Sequence, residues 1–248
     1  MAAAIKLHRH VGRRRAGRFL AEGPNLVEAA LRRDLVIEVF ATGAALDRFR
    51  SMLTDVTVHV VTGRAAKALS DTVTPVGLVA VCEVPATSLH DVLADEPRLV
   101  AVAAEISEPG NAGTLIRIAD AMGADAVVLA GHSVDPYNGK CLRASAGSIF
   151  AVPVVSESDA GGAVSALAEA GLRVLATTID GETSLDDADL SAPTAWVFGP
   201  ESHGLADELA AMAAERIRIP MSGGAESLNV AAAAAICLYQ SARAHRLG

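Results

Sequence analysis

Short apolar runs and amphipathic stretches alternate along almost the whole chain. After the turn Glu22-Gly23-Pro24-Asn25, the pattern predicts a helix over 26–31 and a strand over 36–40. Helix over 44–53, an alternating β-branched strand over 56–61, helix over 64–69 and strand over 77–81 complete a small α/β unit spanning 19–83. A polar, proline-bearing stretch over 84–97 reads as a linker. From Leu99 the pattern restarts with apolar strands over 99–104, 126–129, 152–155, 174–177, 196–198 and 217–219. Helices fit over 112–122, 159–170, 207–213 and 228–242. Short, continuously apolar strands separated by helices predict a parallel sheet covered on both faces. The fold class is therefore α/β, with a larger parallel-sheet unit over 98–248 behind a smaller α/β unit. Ligands of such sheets sit at the carboxyl ends of the strands, which directs attention to the loops there.

The composition supports this picture. The 248 residues are 51% hydrophobic and 20% charged, which excludes a disordered chain. Aromatics make up only 3%, so Ala, Val and Leu must fill the interior. Cys82, Cys141 and Cys237 are far apart and form no CxxC pair, which points to reduced, buried thiols rather than a zinc site or disulfides. No signal-type apolar run follows the N-terminus. The longest uncharged stretch, 227–242, contains Asn229 and Gln240 and falls short of the ~20 apolar residues of a membrane span, so the expected setting is the cytoplasm.

Charge changes the picture more. The formal net charge is −8, which points away from nucleic acid, but it is unevenly spread. Residues 1–18 carry Lys6, Arg9, Arg13, Arg14, Arg15 and Arg18 with no acid, leaving 15 basic and 29 acidic groups in the other 230 residues. A basic arm on an acidic body can supply phosphate contacts that the total hides.

Three strand-to-loop junctions hold the candidate chemistry. In Glu105-Ile-Ser-Glu-Pro-Gly-Asn111-Ala-Gly-Thr-Leu-Ile-Arg117, Asn111 is placed as a helix N-cap, with Ala112, Leu115, Ile116, Ala119 and Met122 as the buried stripe. Arg117 lies about 200° around the helix from Leu115 and off that stripe; alone, it reads as a solvated arginine. In Val197-Phe-Gly199-Pro-Glu201-Ser-His-Gly204, glycines flank an acid directly after a strand, which allows a ligand close to the backbone. Ser202 and His203 are neighbours without a third triad member, and the spacing is not that of a nucleophile elbow. In Ile219-Pro-Met221-Ser-Gly-Gly-Ala-Glu-Ser227-Leu228-Asn229-Val230, Ser227 is placed as the N-cap of an alanine-rich final helix. Neither GxGxxG after the first strand nor GxxxxGK[ST] occurs, which argues against nicotinamide and nucleoside triphosphate enzymes. HExxH and clustered His/Cys ligands are absent as well, so no metal is expected.

In this order and spacing the junctions resemble the SpoU (TrmH) family of RNA ribose 2′-O-methyltransferases, in the SPOUT class. Asn111-x-Gly113-x-x-x-Arg117 resembles the family's first motif, Gly199-x-Glu201-x-x-Gly204 its second, and Ile219-Pro-Met with Ser227-Leu-Asn229-Val its third. Arg143-Ala-Ser145-Ala-Gly147-Ser148 is similar to a further family segment. Phe19-Leu-Ala-Glu-Gly23-Pro and Leu69-Ser-Asp-Thr-Val-Thr-Pro75-Val-Gly77 resemble the ribosomal-protein-like substrate-binding domain that many members carry. Ala231 and Ala232 depart conservatively from the Ser that members often have after Asn-Val.

The resemblance implies a C-terminal domain with a deep trefoil knot, a homodimer, and S-adenosylmethionine (AdoMet) as methyl donor. It places Thr177, Gly199, Glu201, Ile219, Met221 and Leu228 in the cofactor pocket. It makes Arg117 the residue that activates the ribose hydroxyl, with Asn111, Glu201, Ser227 and Asn229 positioning it. Because an arginine stays charged at neutral pH, its role is better stated as binding an RNA phosphate bidentately and orienting the hydroxyl. Arg13, Arg14, Arg15, Arg18 and Arg143 are the expected RNA contacts. The implied substrate is large-subunit ribosomal RNA; the alternatives are a tRNA target or a non-catalytic RNA-binding assembly factor.

Overall fold

The computed structural model describes residues 1–247. Two short helices, α1 (Ala2–Ile5) and α2 (His10–Ala16), lead into β1 (Arg18–Glu22), α3 (Pro24–Leu31), β2 (Val36–Ala41), α4 (Gly43–Phe49), β3 (Val58–Val60), α5 (Gly63–Ala68) and β4 (Leu78–Glu83). These strands form a four-stranded sheet of order β1-β4-β2-β3. Local chemistry sets the helix starts: Pro24 occupies the first turn of α3, and the hydroxyls of Thr42 and Thr62 accept from Ala45 and Ala65 N–H at the starts of α4 and α5.

The larger unit begins after α6 (Leu89–Ala94). It comprises β5 (Leu99–Ala104), α7 (Pro109–Met122), β6 (Ala126–Ala130), α8 (Gly139–Ser145), β7 (Val154–Glu157), α9 (Ala160–Glu169), β8 (Arg173–Thr177), β9 (Thr183–Ser184), β10 (Thr194–Phe198), α10 (Asp207–Ala211), β11 (Glu215–Arg218) and α11 (Val230–Leu247). Its seven strands are all parallel, in the order β7-β6-β5-β10-β8-β11-β9. Alternation along β5 shows why both faces are covered. Leu99, Ala101 and Ala103 pack with α7, α8 and α11, whereas Val100, Val102 and Ala104 pack with α6, α9 and α10. Trp196 of β10 is fully buried on the first face, where its indole N–H donates to Ser241 Oγ of α11 at 2.8 Å. Among the described residues no helix is long and apolar enough to cross a membrane.

Several expectations change. Residues 1–18 are not a free arm: Ala4 and Leu7 are buried with Leu20, Phe40 and Leu69, and the stretch ends inside β1. Arg13 is 5% exposed; it donates to Asp135 Oδ2 at 2.7 Å and to the carbonyls of Leu7 and His8 at 2.9 and 3.0 Å. Its Nε and Nη1 are committed within the fold, so Arg13, unlike its neighbours, is not one of the exposed cations. The linker contains α6, started by a reciprocal Ser88–Asp91 capping box. Helix α7 starts at Pro109 rather than at Asn111, because Pro suits the first helical position and Glu108 caps it by accepting from Gly110 N–H. The cap of α11 is Asn229, not Ser227: Asn229 Oδ1 accepts from Ala231 and Ala232 N–H at 3.0 and 3.4 Å. Six elements, α1, α2, β1, α6, α8 and β9, have no counterpart in the predicted set.

The two sheets share one core. Phe19 of β1 packs against Tyr137 and Phe150 of the larger unit, with ring centroids 4.8 and 5.9 Å apart. Arg33 donates to the carbonyls of Phe150 and Ala151. One buried cluster runs from Phe19 and Ala21 through α7 to Trp196 and α11.

Candidate active site

The carboxyl ends of β8, β10 and β11 and the N-terminus of α11 enclose a cleft of about 670 Å³, including its open mouth. All six residues placed in the cofactor pocket line it: Thr177 after β8, Gly199 and Glu201 after β10, Ile219 and Met221 after β11, and Leu228 before α11. Thr177 Oγ1 donates to Val197 O at 3.0 Å and ties the ends of β8 and β10 together. Gly199 has to be glycine, since a Cβ there would lie 2.6 Å from Leu205 N and 2.7 Å from Gly204 C. The loop therefore folds directly onto its own backbone and leaves room on the cleft side.

Sequence reasoning missed Thr178, Ile179 and Pro200, which also line the cleft. Their signal was adjacency: each lies within two residues of a named residue on the same strand-end loop. Thr178 Oγ1 is buried with no hydrogen-bond partner among the described residues. Ile179 and Met221 expose apolar surface at the mouth, 70% and 36% respectively. A cleft of this size with apolar walls, bare backbone and one buried hydroxyl lacking a partner fits a nucleoside-sized ligand with an apolar face and a few polar edges. These residues fit AdoMet.

Beside the cleft, side chains from all three junctions form one hydrogen-bonded ring. Asn111 Nδ2 donates to Glu201 Oε1 and Oε2 at 2.9 and 3.2 Å. Asn229 Nδ2 donates to Glu201 Oε1 at 2.7 Å and to Asn111 Oδ1 at 3.1 Å. Val230 N–H, at the start of α11, donates to Glu201 Oε1 at 3.2 Å. The amide orientations follow from the partners. Backbone N–H groups of α11 occupy Asn229 Oδ1, so only its NH₂ can face the carboxylate. The Glu201 carboxylate also sits at the N-terminus of the 18-residue α11.

The remaining predicted residues lie apart from this ring. Arg117 is exposed, about two-thirds of a turn from Asn111 around α7 and ~9 Å further along its axis. It makes no side-chain hydrogen bond or ion pair among the described residues. Ser227 lines the cleft mouth without a hydrogen bond among the described residues. Arg143 is exposed on α8 and lines a crevice with His8, Glu22 and Asp71 of the smaller unit, away from the cleft. Arg14 and Arg15 of α2 and Arg18 of β1 are exposed. Glu108, at the start of α7, pairs with Lys140, whose hydrogen bond holds its carboxyl below the ordinary value. Ser202 Oγ and His203 Nδ1 lie 2.8 Å apart on the loop surface, and no carboxylate completes a triad with them among the described residues. No cluster of His, Cys, Asp or Glu able to hold a metal occurs among the described residues.

Comparison with known proteins agrees with this geometry. Residues 98–239 match the SpoU rRNA Methylase family, and residues 3–80 match the MRM3-like substrate binding domain. The chain is 34% identical over 234 residues to the 23S rRNA (guanosine(2553)-2'-O)-methyltransferase RlmP of Bacillus subtilis, covering 94% of this chain and 92% of that one. The AdoMet complex of the SpoU methyltransferase AviRb from Streptomyces viridochromogenes superposes with a TM-score of 0.88 at 30% identity, covering 99% of this chain and 97% of that one. An AdoMet-bound rRNA methyltransferase from Sinorhizobium meliloti gives a TM-score of 0.87 at 29% identity over 98% and 93% of the two chains. With its three motif loops meeting at one cleft and the family match spanning more than half its length, this chain belongs to the SpoU rRNA methylase family.

Proposed function

We propose that the chain transfers a methyl group from AdoMet to a ribose 2′-hydroxyl of RNA, with large-subunit ribosomal RNA as the substrate. The observation that carries this reading is the meeting of three loops: a nucleoside-sized cleft bordered by the Asn111–Glu201–Asn229 ring. Relatives named as 23S rRNA 2′-O-methyltransferases support the substrate class.

AdoMet supplies an activated methyl carbon when bound. Ile219, Met221 and Leu228 provide the apolar walls that hold it; Thr177, Thr178 and Gly199 bring hydroxyl and backbone groups to its edges. The ring locks Glu201 against α11, so the loop after β10 keeps one shape and presents one fixed border to the ribose. Arg117, with its guanidinium donors uncommitted among the described residues, binds an RNA phosphate bidentately and orients the hydroxyl. Ser227 contacts the ribose at the cleft mouth. Residues 19–83 select the RNA site and 98–248 carry out transfer, with 84–97 joining them.

Two further features accompany this reading. A trefoil knot belongs to this reading because the resemblance to the SpoU family implies it. A homodimer is supported by the apolar row on α11, where Ile236 and Tyr239 are 37% and 51% exposed. The protein works in the cytoplasm, where its RNA substrate is made.

Titration calorimetry with AdoMet, followed by transfer of labelled methyl groups to an unmodified 23S rRNA transcript, tests the reading. Saturable binding and incorporation at one ribose are expected. Absence of AdoMet binding at millimolar concentration would refute it. Light scattering tests the dimer, with twice the 25.4 kDa chain mass expected and Ile236→Glu lowering it to one.

A further inference from the structure

The groove between α2 and the carboxyl ends of β6 and β7 is separate from the cofactor cleft. It spans about 1750 Å³ including its open side, and both units contribute to it. His10, Arg14 and Gly17 come from the smaller unit; Gly131, His132, Ser133 and Ser156 to Ser158 at the end of β7 come from the larger.

Three observations bear on its use. First, Arg14 supplies an available cation on one wall, and an exposed imidazole lies on each wall. Arg13 is consumed by Asp135, which also neutralises that floor carboxylate, whereas His10, Arg14 and His132 are exposed. Lys6, Arg9, Arg15 and Arg18, on the same stretch as α2, are exposed too, and the stretch contains no acid. Glu157 is the one other acidic residue lining the groove, and it is half-buried. Secondly, the groove has a fixed width. Its two walls are joined by the Arg13–Asp135 bridge and the packing of Phe19 on Tyr137 and Phe150, so they do not swing on a linker. Thirdly, groove and cleft open on the same edge of one parallel sheet. Strand β6 is two places from β10 and three from β8, which at ~4.8 Å per strand is about 10 to 14 Å.

We propose that this groove is the track for the RNA strand adjoining the methylated nucleotide. Arg14 is its principal phosphate contact, with His10 and His132 beside it on opposite walls. The proposal rests on the RNA methyltransferase reading and adds where the strand runs. A groove of fixed width, cationic on one side and polar on the other, suits a single strand whose flanking nucleotide is delivered to the cleft. The phosphate contacts hold position and leave the choice of nucleotide to other residues.

The test uses the full chain with charge reversals at exposed positions, Arg14→Glu and Arg14→Glu/His132→Glu. Arg50→Glu, at an exposed position that does not line the groove, serves as the control. Binding of a mixed-sequence 20-nucleotide single-stranded RNA is followed by anisotropy from 50 to 300 mM salt, and methyl transfer to a 23S rRNA transcript is measured in parallel. The groove variants are expected to bind the 20-mer about tenfold more weakly. Removal of one phosphate-binding cation should lower the slope of log affinity against log salt by ~0.7, and KM for RNA should rise while AdoMet affinity stays at the wild-type value. Arg50→Glu is expected to change none of these. If the wild type methylates RNA but the groove variants keep its affinity and slope, or if Arg50→Glu weakens binding equally, the track is overturned and the methyltransferase reading stands. If the wild type neither binds AdoMet nor methylates, that reading itself fails. Arg14→Ala, which adds no charge, gives a smaller change in the same direction; no change in slope for it counts against the phosphate contact.

Discussion

Asn229 performs two tasks with one side chain. Its oxygen terminates α11 and its NH₂ group holds Glu201, so the two can be separated by substitution. Asn229→Ala removes both: the missing cap costs about 1 kcal/mol, and the freed loop should lower methyl transfer about a hundredfold. Asn229→Asp keeps the cap but turns a carboxylate oxygen toward Glu201, so thermal stability should stay near wild type while transfer falls as far. If Asn229→Asp is fully active, the ring has no positioning role. Arg117→Ala should leave AdoMet affinity unchanged in calorimetry and abolish transfer; unchanged turnover would refute its role. The three thiols, by contrast, are chemically inert. Burial pushes Cys82 and Cys141 up to about 12 and raises Cys237 further, so all three remain protonated at neutral pH. A disulfide-exchange reagent at pH 8 is therefore expected to label no thiol in the native protein and three per chain after denaturation.

At the scale of elements, the N-terminal helices show how a charged pattern can mislead. Six cations without an acid read as a basic arm on an acidic body, yet Ala4, Leu7 and the folded-in Arg13 make 1–18 part of the fold. Arg13→Ala would leave Asp135 and two carbonyls without their partner, at a cost of about 3–5 kcal/mol, measurable as a lower urea midpoint. Arg14→Ala, one residue on and exposed, should leave stability within ~0.5 kcal/mol of wild type in the same titration. Strands β5, β6, β8 and β10 were readable because each holds a continuous apolar run bounded by polar loops, whereas β9, only Thr183 and Ser184, carries no apolar signal. Strand β1 was hidden because its ends, Arg18 and Glu22, are charged and only three residues between them are buried. Helix α8 was hidden because it is short and its cap, Asn138, lies in a stretch of turn-forming residues. The lining of the cleft was legible only through the resemblance of the three loops to the SpoU family, since each loop alone reads as an ordinary turn. The ring was not, because hydrogen bonds between residues 90 and 118 positions apart leave no local pattern.

For the whole molecule, the shared core matters more than the count of sheets. A cluster continuous from Phe19 to α11 makes the two units one folding unit, despite a linker that looks like a hinge in sequence. Calorimetric unfolding is expected to show one peak with matching calorimetric and van't Hoff enthalpies. Two resolved peaks would mean that the units unfold separately. Residues 98–248 expressed alone would uncover Tyr137, Ile149 and Phe150 and are expected to aggregate. The same architecture equips the protein with an optical probe. Trp196 is the chain's only tryptophan, fully buried under α11 and three positions before Gly199 at the cleft. Excited selectively at the red edge of its absorption, it should emit in the blue while β10 and α11 stay packed. Its shift toward longer wavelength would time the loss of the catalytic sheet without any attached dye.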